Sequence, residues 1–271
     1  MPLDELNLEG RVAVVTGAGR GIGQAIALCF AEAGADIVAL ARTKEQIEDT
    51  AAQARKLGRR ALAIPTDVTK ATDVRKAVEQ AAAEFGRLDI LVNNAGTAVP
   101  KPLVPLPGHH PEGVGDLPNY FAPTSLKEWR SVVDLQLTGA FLCCRAVGQH
   151  LVNQQRGKVI NISSIFAARG FPFGLNYGVA KTGLVGLTMS LAVEWAPYNV
   201  QVNCIAPGHF YTHMVARMHD TPRVRERMLS TIPFRRTGNL RDLGLLSVYL
   251  ASSASDYMTG QTLFVDGGIT A

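Results

Sequence analysis

The sequence predicts an α/β protein, a single domain built on one doubly wound parallel sheet of about seven strands with helices on both faces. Three observations carry that expectation. Seven short runs, "VAVVT", "IVALA", "ALAI", "DILV", "KVINI", "VQVNCI" and "TLFV", are separated by segments of 3.6-residue periodicity, the alternation of a parallel sheet. The runs are apolar almost throughout instead of alternating with polar residues, so helices are expected over both faces. Finally, 271 residues, 47% apolar and 18% charged, with no linker-like tract, suit one large core.

Taken in order, residues 12–16 make the first strand and residues 17–23, "GAGRGIG", a turn rich in glycine. Such a turn lets the backbone approach a pyrophosphate, and the following helix, with Ile26, Cys29, Phe30 and Ala33 on one face, offers free N–H groups and the positive end of its dipole. The strict G-x-G-x-x-G spacing fails, because Ile22 stands where the third glycine counted from Gly17 is required. The second strand ends in Ala41, Arg42 and Thr43. A site for NAD normally carries an acid there, on the adenosine ribose hydroxyls; Asp36 lies before the strand and cannot serve. Arg42, together with Arg20 inside the glycine turn, suits the extra phosphate of NADP(H) through charge and its fork of donors.

The fourth strand runs into residues 97–125, which hold seven of the chain's 14 prolines and show neither period. Loops longer than about 12–15 residues inside a compact domain are usually functional or disordered. This one leaves the ligand edge of the sheet, and a substrate-pocket wall, an oligomer contact and plain surface all remain open for it. The fifth strand ends at Ser163 and Ser164, also at the ligand edge. Tyr177 and Lys181, four apart in a helical pattern, share a face. A phenol has an ordinary pKa of about 10; a nearby ammonium and the positive charge of an oxidised nicotinamide are expected to draw it down, which suits proton exchange with a carbonyl or alcohol oxygen.

Several of these stretches together resemble the short-chain dehydrogenase/reductase family: the turn T-G-x-x-x-G-x-G at Thr16, Gly17, Gly21 and Gly23, "DV" at Asp67 and Val68, "NNAG" from Asn93 through Asn94 and Ala95 to Gly96, "NISS" from Asn161 to Ser164, "YGVAK" from Tyr177 to Lys181, "NCIAPG" from Asn203 to Gly208, and "VDGG" from Val265 to Gly268. The resemblance covers nearly the whole chain, in order and at the family's separations. It implies a Rossmann fold, an NADP(H) cofactor and interconversion of a ketone and a secondary alcohol. Ser164, thirteen residues before the tyrosine, would hold the substrate oxygen; Tyr177 would exchange the proton; Lys181 would hold the nicotinamide ribose and tune the tyrosine. Pro207, Gly208 and Thr212 would meet the carboxamide end of the cofactor, residues 209–236 would form a substrate lid, and the long helices before Gln149 and after Tyr177 would join four copies as a homotetramer.

One position departs from the family pattern. Gln136, in "VVDLQLTGAF", stands where relatives usually have an asparagine that helps hold a water between the lysine and solvent. Within the family the chain is most similar to the 3-oxoacyl-carrier reductases, the gluconate and other sugar dehydrogenases and the carbonyl reductases. Of the basic residues that carrier-protein reductases place near Gln155 and Tyr198, only Arg156 is close. The alternative of another class is a non-catalytic nucleotide-sensing protein, for which Gln136 is the only hint.

A net charge of +4, without a basic stripe interleaved with aromatics, excludes a nucleic-acid partner. The excess of arginines between Arg217 and Arg241 is read as a solvated face ahead of a site for an anionic substrate. No apolar run approaches the ~18 residues of a membrane span. The first residues, "MPLDELNLEGR", lack the bases and apolar stretch of a secretory signal, so a cytoplasmic enzyme is expected. Cys29, Cys143, Cys144 and Cys204 lack C-x-x-C spacing and read as buried thiols. Neither His109 with His110 nor His209 with His213 has a third ligand, so no metal is expected. Met214, Met218 and Met228 are expected to pack within lid helices.

Overall fold

Val12–Thr16 (β1) is buried at every position, as a strand covered on both faces must be. The same holds for Ile90–Asn93 (β4), Gly157–Ile162 (β5) and Val200–Pro207 (β6), while Asp36–Ala41 (β2), Ala61–Pro65 (β3) and Thr262–Val265 (β7) lie outward. In this computed structural model, which describes residues 4–106, 122–212 and 220–271, all seven strands form one sheet in the order β3-β2-β1-β4-β5-β6-β7. Every pairing is parallel. The chain reverses its direction of winding between β1 and β4, the place where such sheets open a crevice at the carboxyl ends of their strands.

Helices cover both faces. Gly21–Glu32 (α1) and Leu240–Ala251 (α8) close one side around Phe30, Ile26, Ile37 and Leu243; Ala71–Phe85 (α3) and Gly139–Asn153 (α5) close the other around Leu91, Val147 and Leu151. Lys44–Lys56 (α2) flanks β2 and β3, Leu175–Trp195 (α6) packs along β6, and Pro222–Ser230 (α7) belongs to the expected lid. Arg59 and Arg60 precede β3, and the Arg60 amide donates to the Asp36 carboxylate at 2.8 Å. Asp36 is thus the first residue of β2, occupied at the edge of the sheet away from the ligand crevice.

Leu126–Val133 (α4) starts at a capping box: Ser125 Oγ accepts from the Glu128 amide while Glu128 receives the Ser125 amide. It continues through a single π turn at Asp134–Thr138 directly into α5. The resulting stretch, Leu126–Asn153, is long and apolar enough by length and composition to cross a membrane, at a mean hydropathy of 1.2 over its most apolar window. The sequence expectation missed it because a few charged residues interrupt every apolar run. Its inner residues, Val132, Ala140, Cys143, Cys144 and Val147, are buried, as those of a core helix are.

Candidate active site

The glycine turn is built around Thr16 and Asn94. Thr16 Oγ1 accepts from the amides of Asn94 (3.0 Å) and Ala95 (3.1 Å) and donates to the Val92 carbonyl, tying the ends of β1 and β4 together. Asn94 Nδ2 donates to the carbonyls of Thr16 and Gly17 at 3.0 and 3.2 Å. Gly17 has a φ of 64°, and a Cβ added there would lie 2.8 Å from Asn94 Nδ2, so side-chain-free backbone is required for the turn to close on "NNAG". The mismatch at Ile22 is a different spacing of the same device: Gly21, Ile22 and Gly23 form the first turn of α1, and Arg20 precedes it in extended conformation, exposed. Thr212 lies over this turn, with its Cγ2 3.7 Å from where a Gly21 Cβ would be.

Arg42 and Thr43 are exposed where β2 passes into α2. Asp67 sits beyond β3. Burial pushes its carboxyl up, but the Thr69 hydroxyl and amide, then Lys70 and Arg42, outweigh it and hold the group below its ordinary value. Val68 is buried and faces Gly139 at the end of the π turn. Pro207 pairs with Val265, and the Gly208 amide donates to the Val265 carbonyl at 2.9 Å. These residues, with Ala95 and Gly96, therefore line the carboxyl ends of β1 to β6, a cradle with backbone donors and two guanidinium groups that fits a phosphorylated dinucleotide.

At the end of β5, Ser163 and Ser164 part company. Ser163 Oγ donates to the Lys181 carbonyl at 2.8 Å, so it is spent on structure. Ser164, buried, caps a short 3-10 turn by accepting from the Phe166 amide, and its hydroxyl lies near enough to the Tyr177 phenol to favour the phenolate. Lys181 lies one helical turn beyond Tyr177. Its Nζ donates to the Ile162 carbonyl at 2.7 Å and stands 5.4 Å from the Tyr177 ring centre. Burial lowers the Lys181 ammonium to about 8, only partly opposed by nearby Cys204. Tyr177 corrects an expectation: burial raises the phenol above its ordinary value, and the Ser164 hydroxyl only moderates this. Phe166 meets Tyr177 edge-on at 6.2 Å and stacks on Phe171 at 4.3 Å, giving the crevice an aromatic flank.

Gln136 is placed in the π turn, a distortion frequent at functional sites. Its Nε2 donates to the Thr97 carbonyl at 2.7 Å. Its Oε1 is buried without a hydrogen-bond partner among the described residues, next to Gly96. Sequence reasoning missed Asn176, which is buried, accepts from the Tyr177 amide at 2.8 Å and donates to the Val99 carbonyl at 3.2 Å. No sequence signal marks it, because its second partner comes from a segment 77 positions away.

Of the expected lid, Met228 is buried in α7 and packs as anticipated. A cleft of ≈ 660 Å³ beside that helix is lined by Arg225 and Arg235 together with Asp220 and Glu226, a mixed-charge lining that favours the solvated-face reading of the arginines. His109, His110, His213, Met214, Met218 and Arg217, and with them residues 107–121 of the long loop, lie outside the described residues. All four cysteines are free and buried.

A parallel sheet with its crevice at a glycine turn, and a tyrosine with a lysine one helical turn on at the end of β5, are the features an oxidoreductase of this fold would present. Residues 17–270 match the family described as enoyl-(acyl carrier protein) reductase. The chain is 37% identical over 271 residues to the 2-dehydro-3-deoxy-D-gluconate 5-dehydrogenase of Escherichia coli, covering 99% of this chain and 98% of that one. It is 32% identical to the 3-oxoacyl-[acyl-carrier-protein] reductase of Thermotoga maritima, over 97% of this chain and 99% of that one. Among solved structures, a gluconate 5-dehydrogenase from Burkholderia cenocepacia in complex with NADP and tartrate superposes with a TM-score of 0.89 at 34% identity, covering 100% of this chain and 99% of that one. The protein belongs to the short-chain dehydrogenase/reductase family and is an oxidoreductase.

Proposed function

We propose that the protein is an NADP(H)-dependent enzyme that interconverts a ketone and a secondary alcohol. The observation that carries this reading is the group at the end of β5, where Lys181 Nζ stands 5.4 Å from the Tyr177 ring centre, with the Ser164 hydroxyl near enough to the phenol to influence its charge. Arg20 and Arg42, exposed on either side of the adenosine end and with no acid at the end of β2, support NADP(H) over NAD(H). The similar gluconate 5-dehydrogenase in complex with NADP supports the same preference.

In this reading the amides at the start of α1 bind the pyrophosphate, Thr43, Asp67, Val68, Asn94, Ala95 and Gly96 line the adenosine and central part, and Pro207, Gly208 and Thr212 close over the far end. The nicotinamide, when bound, supplies the hydride for reduction or accepts it for oxidation. Ser164 donates a hydrogen bond to the substrate oxygen and holds it beside Tyr177. In reduction the phenol gives its proton to the oxygen as the carbonyl carbon gains the hydride, so that C=O becomes CH–OH. Lys181 in its ammonium form offsets the phenolate that remains. A phenol held above its ordinary value by burial suits the donor role, because it stays protonated at neutral pH.

The gluconate dehydrogenases and carrier reductases similar to this chain make sugar acids and 3-oxoacyl compounds the first substrates to try, and the enzyme is proposed to work in the cytoplasm as a homotetramer. Nicotinamide absorbance followed with NADPH and a panel of ketones tests the reading. Turnover is expected with NADPH, at a higher kcat/KM than with NADH, and its complete loss in Tyr177→Phe with NADPH binding retained. Binding of NADPH without turnover on any substrate would make the protein a nucleotide sensor instead.

A further inference from the structure

The long loop departs from the sheet as a strap, and its first residues are held by side chains of the catalytic segment. Gln136 Nε2 donates to the Thr97 carbonyl at 2.7 Å and Asn176 Nδ2 to the Val99 carbonyl at 3.2 Å, alternate carbonyls of one short stretch. The Lys101 amide then donates to the Phe173 carbonyl at 2.8 Å. Phe173 is in the left-handed region at φ 62°, a strained conformation for a bulky residue that persists only where its surroundings impose it. The far end of the loop is tied back as well: Thr124 bonds through its amide and hydroxyl to Pro102, and Lys101 Nζ meets Glu128 at 2.6 Å. Lys101 and the Ser125 groups hold the Glu128 carboxyl down to about 2, so this carboxylate stays ionised across neutral pH.

Resting on the ketone-reductase reading above, we propose that Asn176 and Gln136 are positioning residues that clamp the 97–101 strap against the start of the Tyr177 helix and so set the width of the substrate cleft. Asn176 does this from both sides of its amide, since its oxygen receives the Tyr177 N–H and its nitrogen holds the strap. Gln136 holds the strap through its Nε2 on the Thr97 carbonyl. Both side chains are buried, so the two donors that hold the strap are shielded from competing water.

Asn176→Asp keeps an acceptor for the Tyr177 amide and removes the donor to Val99; Gln136→Met removes the donor to Thr97 at similar volume. Turnover of the wild type on the ketone panel is established first, and its absence overturns the reductase reading and the cleft assignment with it. Given turnover, four quantities are measured in both variants: amide exchange at Lys101, KM and kcat for the best ketone, and NADPH affinity. Loss of one buried hydrogen bond predicts about tenfold faster Lys101 exchange and about tenfold higher KM, with kcat changed by less than about threefold and NADPH affinity unchanged. Unchanged Lys101 exchange overturns the clamp. A loss confined to kcat overturns it too, since it would mean that Asn176 acts on the tyrosine alone.

Discussion

At the scale of single residues, the site is set by which partner each polar group already has. Ser163 and Ser164 are adjacent in sequence and chemically identical, yet one hydroxyl serves the Lys181 carbonyl while the other caps the next turn and lies near the Tyr177 phenol. Lys181 shows the same logic in its charge. Its folded value of about 8 lies below the ordinary 10.5, so between these pH values the unfolded chain binds the proton and the folded chain does not. Its contribution to stability therefore grows as pH rises through that window and is lost as pH falls through about 8. Activity responds in the opposite sense, because the proposed role needs the ammonium. Initial rates of ketone reduction at saturating NADPH should fall as pH rises through about 8, before the phenol itself is lost; a flat profile across that value would remove the charge requirement from Lys181.

At the scale of elements, the glycine turn and the first turn of α1 act as one unit with "NNAG". A Cβ on Gly23 would collide with Asn94 Nδ2 and the Gly17 carbonyl, neither of which can move without breaking the bonds between β1 and β4. Gly23→Ala should destabilise the protein by about 1–3 kcal/mol, the usual cost of overpacking a tight site, and weaken NADPH binding as well. A thermal melt and a fluorescence titration check the two effects; an unchanged Tm would mean that the turn can widen. The glycine spacing announced this turn in the sequence. The π turn at Asp134–Thr138 was not legible in the same way, since its residues fit an α-helical pattern, and the shift to π bonding is set by packing, with Gly139 against Val68 and Gln136 reaching Thr97.

At the scale of the whole molecule, α6 is buried on one side and exposes an apolar row on the other. Val179, Met189 and Val193 are 42%, 52% and 78% exposed, at spacings that keep them on one face of the helix, and Phe141 on α5 is 49% exposed. Long helices with such a face support the proposed self-association through α5 and α6. Val193→Glu should then shift the protein to smaller species in light scattering after size exclusion, because a charge buried between copies lacks a partner. An unaltered molar mass would move the interface away from this row.

By itself the sequence determined the doubly wound class and marked the glycine turn and the Tyr177 and Lys181 pair as candidates, because each is written in local terms: the period of apolar residues, the positions of glycines, the offset of four along a helix; Ser164 came from the family resemblance. It also marked residues 97–125 as an interruption. Only the tertiary structure decided that Ser163 is spent on the Lys181 carbonyl, that burial raises Tyr177 instead of lowering it, and that Asn176 and Gln136 hold the root of the interruption. Those facts depend on groups brought together across many positions of chain, where desolvation and hydrogen-bond geometry, not the identity of neighbours in sequence, fix what each side chain does.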